Sequence, residues 1–89
     1  MKKIIYRKHA IQRMFERAIT SNDVKIVIEH GEVIANYPSD TPNPSRLLLS
    51  FVENNPIHVV IAESKEELIV ITVYRPDSRL WKDNFRSKK

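Results

Sequence analysis

Residues 45–74, SRLLLSFVENNPIHVVIAESKEELIVITVY, decide the fold. The stretch breaks into three β-prone runs, SRLLLSFVE, PIHVVIAE and ELIVITVY, at two clusters of turn residues, Asn54-Asn55 and Ser64–Glu66. Side chains alternate between the faces of a strand, so each run sorts into two sets. One set is Leu47, Leu49, Phe51, Ile57, Val59, Ile61, Ile69, Ile71 and Val73, wholly apolar and in need of cover. The other is mixed, with polar members Arg46, Ser50, His58, Thr72 and Tyr74. An antiparallel meander with one covered and one open face is the expected result.

Working outward, the N-terminal side supplies the cover. Residues 8–18, KHAIQRMFERA, read as an amphipathic helix with Ile11, Met14, Phe15 and Ala18 on its apolar stripe and His9, Arg13 and Arg17 opposite. Thr20, three residues before Asp23, marks the start of a second helix with Val24, Val27 and Ile28 inward. Gly31, the only glycine, is expected to end it in a left-handed conformation. Residues 32–37, EVIANY, read as a strand, and PSDTPNP as a loop. KKIIY at residues 2–6 is a short β-prone run. Beyond Pro76, Leu80, Trp81 and Phe85 suggest a docked helical turn, followed by last residues without fixed structure. The expected fold class is α+β, a helical pair on one face of a small, mostly antiparallel four-stranded sheet. One domain over residues 1–89 is expected, with a basic C-terminal tail from about residue 77.

Composition narrows the function. The chain has 89 residues, no cysteine and a net charge of +4. Disulfides and thiolate metal sites are excluded, and the three histidines show no paired ligand spacing. No apolar run approaches the roughly 18 residues of a membrane span, and a cytoplasmic location is expected. The charge is segregated. Residues 1–17 carry six cations against Glu16, residues 75–89 six against Asp77 and Asp83, and the middle three against eight carboxylates. Two basic ends that met in space would form a nucleic-acid footprint.

Three constellations carry chemistry. His9, Arg13 and Arg17, at i, i+4 and i+8, stack on one helix stripe and suit phosphate oxygens. His58 and Tyr74, with Arg46 on the same expected sheet face, have the residue types for metal-independent phosphodiester cleavage, which needs a base, an acid and a cation. Arg75, Arg79, Lys82, Arg86, Lys88 and Lys89, interleaved with Trp81 and Phe85, resemble a single-strand RNA grip. The candidate catalytic residues are therefore His58 and Tyr74. The candidate phosphate contacts are His9, Arg13, Arg17, Arg46, Arg75 and Arg79, and no metal or cofactor is expected. The plainer reading of each is a solvated helix face, a half-buried sheet histidine and a docked aromatic anchor.

The segment HAIQRMFERAITSNDV resembles the HA-x-x-RM-x-x-R-x-I-x-x-x-D-V opening of an uncharacterised bacterial family, DUF4258. YPSDTPNPSRLLLSF, PIHVVIA, ITVYRPD and the Trp81–Phe85–Arg86 ending are similar to its later blocks. The resemblance implies a RelE/ParE-like toxin fold and the toxin half of a toxin–antitoxin pair. It also implies a small DNA-binding antitoxin as partner, and messenger RNA or gyrase as target. It supplies no catalytic residue. Two functions follow as expectations: a metal-independent endoribonuclease acting on messenger RNA, or a non-catalytic module that binds an antitoxin or another protein. A plain nucleic-acid binder, with affinity that falls steeply with salt, is a third.

Overall fold

A computed structural model describes residues 2–89. The chain runs β1 (Lys3–Tyr6), α1 (Lys8–Glu16), α2 (Ser21–His30), β2 (Glu32–Tyr37), β3 (Ser45–Val52), β4 (Asn55–Glu63) and β5 (Glu67–Tyr74), then β6 (Trp81–Lys82) and β7 (Ser87–Lys88). The first five strands form one sheet in the order β1-β5-β4-β3-β2. The fold is α+β, as read from the sequence. The sheet, however, has five strands and is mixed, because β1 lies parallel to β5 with Lys3 opposite Glu67. The two helices carry the chain from one edge of the sheet to the other. A parallel partner 64 positions away leaves no local signal, which is why KKIIY reads only as β-prone.

The β3–β4 turn sets which side chains meet. Val52 pairs with Asn55, leaving Glu53-Asn54 as a two-residue loop. Both loop residues have positive φ, 51° and 67°. That is the geometry of a type I′ hairpin, whose twist matches the flanking strands. The loop is Glu53-Asn54, not Asn54-Asn55, and its even length overturns the expected division of faces. Leu48 stands opposite Val59, Arg46 opposite Ile61, and Leu49 opposite His58. A bulge in β5 makes a second shift: Val60 faces Thr72 while Ile61 faces Val70, so Ile71 is the extra residue.

The helix-covered face therefore holds Leu48, Ile57, Val59, Ile61, Val70 and Val73, which form one buried cluster with Ala10, Ile19, Val24 and Val27. The second face is not open. Leu47, Leu49 and Ala62 are buried there, and so is His58. Both faces are covered, one by helices and one by the loop after β2 and the C-terminal tail.

The start of α2 forms as expected. Thr20 Oγ1 accepts from the Asp23 N–H, and Asp23 Oδ2 accepts from the Thr20 N–H, each at 3.0 Å. Gly31 is a correction: its φ of −70° is extended, not left-handed. Glycine is needed there for space, since a Cβ would overlap the Val27 carbonyl and stand 3.2 Å from the Leu49 carbonyl. The stripe of α1 is a second correction. Ala10 is wholly buried and Met14 partly, while Ile11 is 55% and Phe15 89% exposed. The small Ala10 lets α1 lie close on β5 and turns the larger apolar residues outward. Ala18 is outside the helix, with φ 54°, and the Ile19 N–H bonds the Met14 carbonyl in a Schellman-type end.

The tail is also more ordered than expected. Instead of a helical turn and a loose end, Trp81 pairs with Lys88 and Lys82 with Ser87. Asp83, Asn84 and Phe85 all take positive φ to close this miniature hairpin.

Candidate functional site

His58 sits on the central strand β4, directly opposite Tyr74 on β5. Its Nδ1 is 3.0 Å from the Tyr74 hydroxyl and its Nε2 is 2.9 Å from the Phe85 carbonyl oxygen. A carbonyl can only accept, so Nε2 carries the proton, and the bare Nδ1 accepts from the Tyr74 O–H. The ring is also boxed in by aromatics: Trp81 stands perpendicular at 4.5 Å and Tyr74 edge-on at 5.1 Å. Burial pushes the His58 pKa below its ordinary 6.5, with the Phe85 hydrogen bond opposing it, so the neutral ring is favoured. Burial, with the neighbouring Tyr37, pushes the Tyr74 hydroxyl up to about 12. In this arrangement the imidazole has no nitrogen free for a substrate.

The structure brings His58 and Tyr74 together and separates both from the expected cation. Arg46 stands opposite Ile61 on the helix-covered face. There it pairs at 3.0 Å with Glu63, which also takes Lys2 at 2.6 Å. These two cations hold the Glu63 carboxyl below its usual range, chiefly through their hydrogen bonds. Ser50, opposite Ile57, goes to that face as well. Arg79 is engaged by Asp77, whose carboxylate accepts from the guanidinium at 2.7 to 3.2 Å and from the Arg79 N–H. Those bonds bring the Asp77 carboxyl down to about 2. Arg86 is held by Glu32 at 3.0 Å. Two of the six phosphate candidates, Arg46 and Arg79, are thus neutralised within the chain.

The other four gather around α1. Arg75 donates from Nε to the Arg17 carbonyl at 3.2 Å and from Nη2 to the Ala18 carbonyl at 3.3 Å, capping the C-terminal end of the helix. At the other end the Arg7 N–H bonds the Val70 carbonyl. Helix α1 therefore lies along β5 with cations at both ends. His9 is exposed in its first turn, and Arg13 makes only an exposed i, i+3 pair with Glu16 at 3.5 Å. Among the described residues, Arg7, Lys8, Arg17 and Arg75 have no carboxylate in ion-pair range. His30 is the last residue of α2 and stands exposed, 3.8 Å from Glu29. No three His, Asp or Glu side chains gather to hold a metal ion among the described residues.

A family described as Domain of unknown function (DUF4258) matches residues 6–75, most of the chain. The chain belongs to the DUF4258 family. No curated protein and no solved structure matches it. The DUF4258 match runs from Tyr6 to Arg75. It takes in both helices, the meander, His58 and Tyr74, and stops before the tail that seals them.

Two features of this DUF4258 domain escaped the sequence. The first is the exposed pair Ile11 and Phe15, which read as core. Ala10 was the available signal, since a small residue one position earlier offers an alternative inward stripe. The second is a cleft of about 590 Å³ on the tail-covered face, lined by Tyr37, Pro38, Asp40, Ser45, Val60 and Ile71 among others. Asp40 accepts from the Ser45 hydroxyl at 2.7 Å and from the Thr41 N–H at 3.0 Å, which holds the loop after β2 against the sheet. The cleft lining contains one carboxylate and no cation. It does not resemble a phosphate site.

Proposed function

We propose that this DUF4258 domain is an RNA-binding protein of the toxin type that holds RNA along α1. The single observation that carries the reading is the assembly of Arg7, Lys8, Arg17 and Arg75, left without acidic partners, along one helix clamped at both ends. Arg suits phosphate oxygens because its fork is planar and always charged. The toxin class, a small antitoxin partner and action in the cytoplasm rest on the resemblance of the HAIQRMFERAITSNDV segment and the later blocks. No helix among the described residues is long and apolar enough to cross a membrane.

The test is titration of single-stranded RNA at several salt concentrations. The affinity should fall with salt, with a log–log slope of roughly −0.7 per phosphate contact. Arg17→Glu and Lys8→Glu should each weaken binding and flatten that slope, with melting unchanged because both side chains are exposed. Salt-independent affinity, or none, refutes the reading. Co-expression with the neighbouring reading frame tests the toxin class separately: arrested growth that the neighbour relieves, with co-purification, supports it.

An endoribonuclease is the second reading. What favours it is the contact of His58 Nδ1 with the Tyr74 hydroxyl, two groups able to pass a proton. It requires the tail to lift from His58. Purified protein that leaves RNA intact, with and without ribosomes, would rule it out.

A further inference from the structure

The outward flank of α1 carries the most anomalous side chains in the molecule. Phe15 is 89% exposed and Ile11 55% exposed. At i and i+4 they form one continuous apolar stripe. On a helix of 3.6 residues per turn, Arg13 and Arg17 fall on the flank to one side of buried Ala10, and Ile11 and Phe15 on the other. Arg7 and Lys8 lie one turn before Ile11 on the same side, and Gln12 sits beside them. This flank presents Arg7 and Lys8 at one end, and the carboxylate at its border, Glu16, is paired with Arg13 at 3.5 Å. The helix is anchored at Val70 and Arg75, so the stripe is displayed on a fixed support.

We propose that the Ile11–Phe15 stripe docks an acidic amphipathic helix of a partner protein, its apolar residues on Phe15 and its carboxylates on Arg7 and Lys8. Charge selects this occupant. A second copy of the chain packed with its α1 parallel would oppose Arg7 and Lys8 to themselves, cations onto cations. The site shares Arg7 and Lys8 with the proposed RNA surface and adds the Ile11–Phe15 stripe, which that reading does not use.

The test uses the full chain and a labelled peptide of about 20 residues. The peptide carries leucines at i, i+3, i+4 and i+7 on a glutamate-rich background. Controls are the same composition with scattered leucines and a version with lysine for glutamate. Fluorescence anisotropy should show binding of the acidic amphipathic peptide, about tenfold or more weaker for either control. Phe15→Ser and Ile11→Ser should each weaken it by about tenfold while leaving the melting temperature unchanged. Lys8→Glu should weaken it as well. Binding that is absent, or equal in Phe15→Ser, overturns the proposal. So does sedimentation showing a dimer that Phe15→Ser dissolves, which would make the stripe a self-interface. Equal loss of RNA affinity in Phe15→Ser and Ile11→Ser would make it a stacking platform and overturn it too.

Discussion

The two faces of the sheet are covered by different physics. The helix side is closed by branched apolar side chains, with Val24 and Val27 of α2 and Ala10 of α1 over Leu48, Val59 and Ile61. Any well-shaped hydrophobe holds such a face, and the interaction has no direction. The tail side is closed by a directed hydrogen bond from His58 to Phe85, a perpendicular Trp81, and Phe85 edge-on to Phe51 at 6.2 Å. The first cover comes from elements that also complete the crossover. The second comes from a two-stranded hairpin, residues 81–88, that contains three consecutive left-handed backbones. One cover is inseparable from the fold, and the other is an attachment.

Breaking each cover should give a different outcome. Ile61→Ala, on the helix side, should cost about 2–5 kcal/mol and lower the stability of the whole domain in a single transition by chemical denaturation. His58→Phe fills the space but leaves the Tyr74 hydroxyl and the Phe85 carbonyl without their partner. A loss of about 1–3 kcal/mol is expected. It should be localised: amide exchange should speed up at residues 81–88 before the strands, and Trp81 emission should shift to the red. Were His58→Phe to accelerate exchange equally throughout, the two covers would be one cooperative unit.

Titration should open the same latch gradually. The folded pKa of His58 lies below 6.5, so as pH falls the unfolded chain takes up the proton first. The His58 contribution is fully present above pH 6.5 and declines below it. Trp81 fluorescence should follow that decline in the native protein and lose it in His58→Phe. On the helix side, Thr20→Ala should cost about 1 kcal/mol through the lost capping box, with no change in tail exchange. The smallest effect is expected at the rim. Glu32→Gln frees an exposed Arg86 and should leave the melting temperature unmoved, since exposed ion pairs contribute little.

What the sequence made legible were features encoded within a few residues. The three meander strands, the Thr20–Asp23 box and the loop after Tyr37 all follow from local pattern. What it hid was register. Glu53 adopts a left-handed conformation usually reserved for Gly, Asn or Asp, so the turn read one residue too late. The bulge at Ile71 has no glycine or proline to announce it. The even length of the β3–β4 loop pairs even positions of β3 with odd positions of β4, which puts Arg46 and Ser50 on the opposite face from His58 and dissolves the expected site. The orientation of α1 was hidden because Ala10 and Met14 define an inward stripe as well as Ile11 and Phe15 do. Which cations remain available was equally invisible, because Arg46 is neutralised by a glutamate seventeen positions away and Arg86 by Glu32, 54 positions away.

The parallel pairing of β1 with β5 has a consequence for biosynthesis. Lys3 emerges well before its partner Glu67, which is made 64 residues later. At about 5–20 residues per second the N-terminal strand and both helices wait several seconds without a sheet to lie on. Contacts of such long sequence separation also slow folding once the chain is complete. Helix α1 spends that interval with its inward residues, Ala10 and Met14, uncovered as well as Ile11 and Phe15. The nascent chain therefore presents a wider apolar face on this helix than the folded protein does, before any native contact can hide half of it.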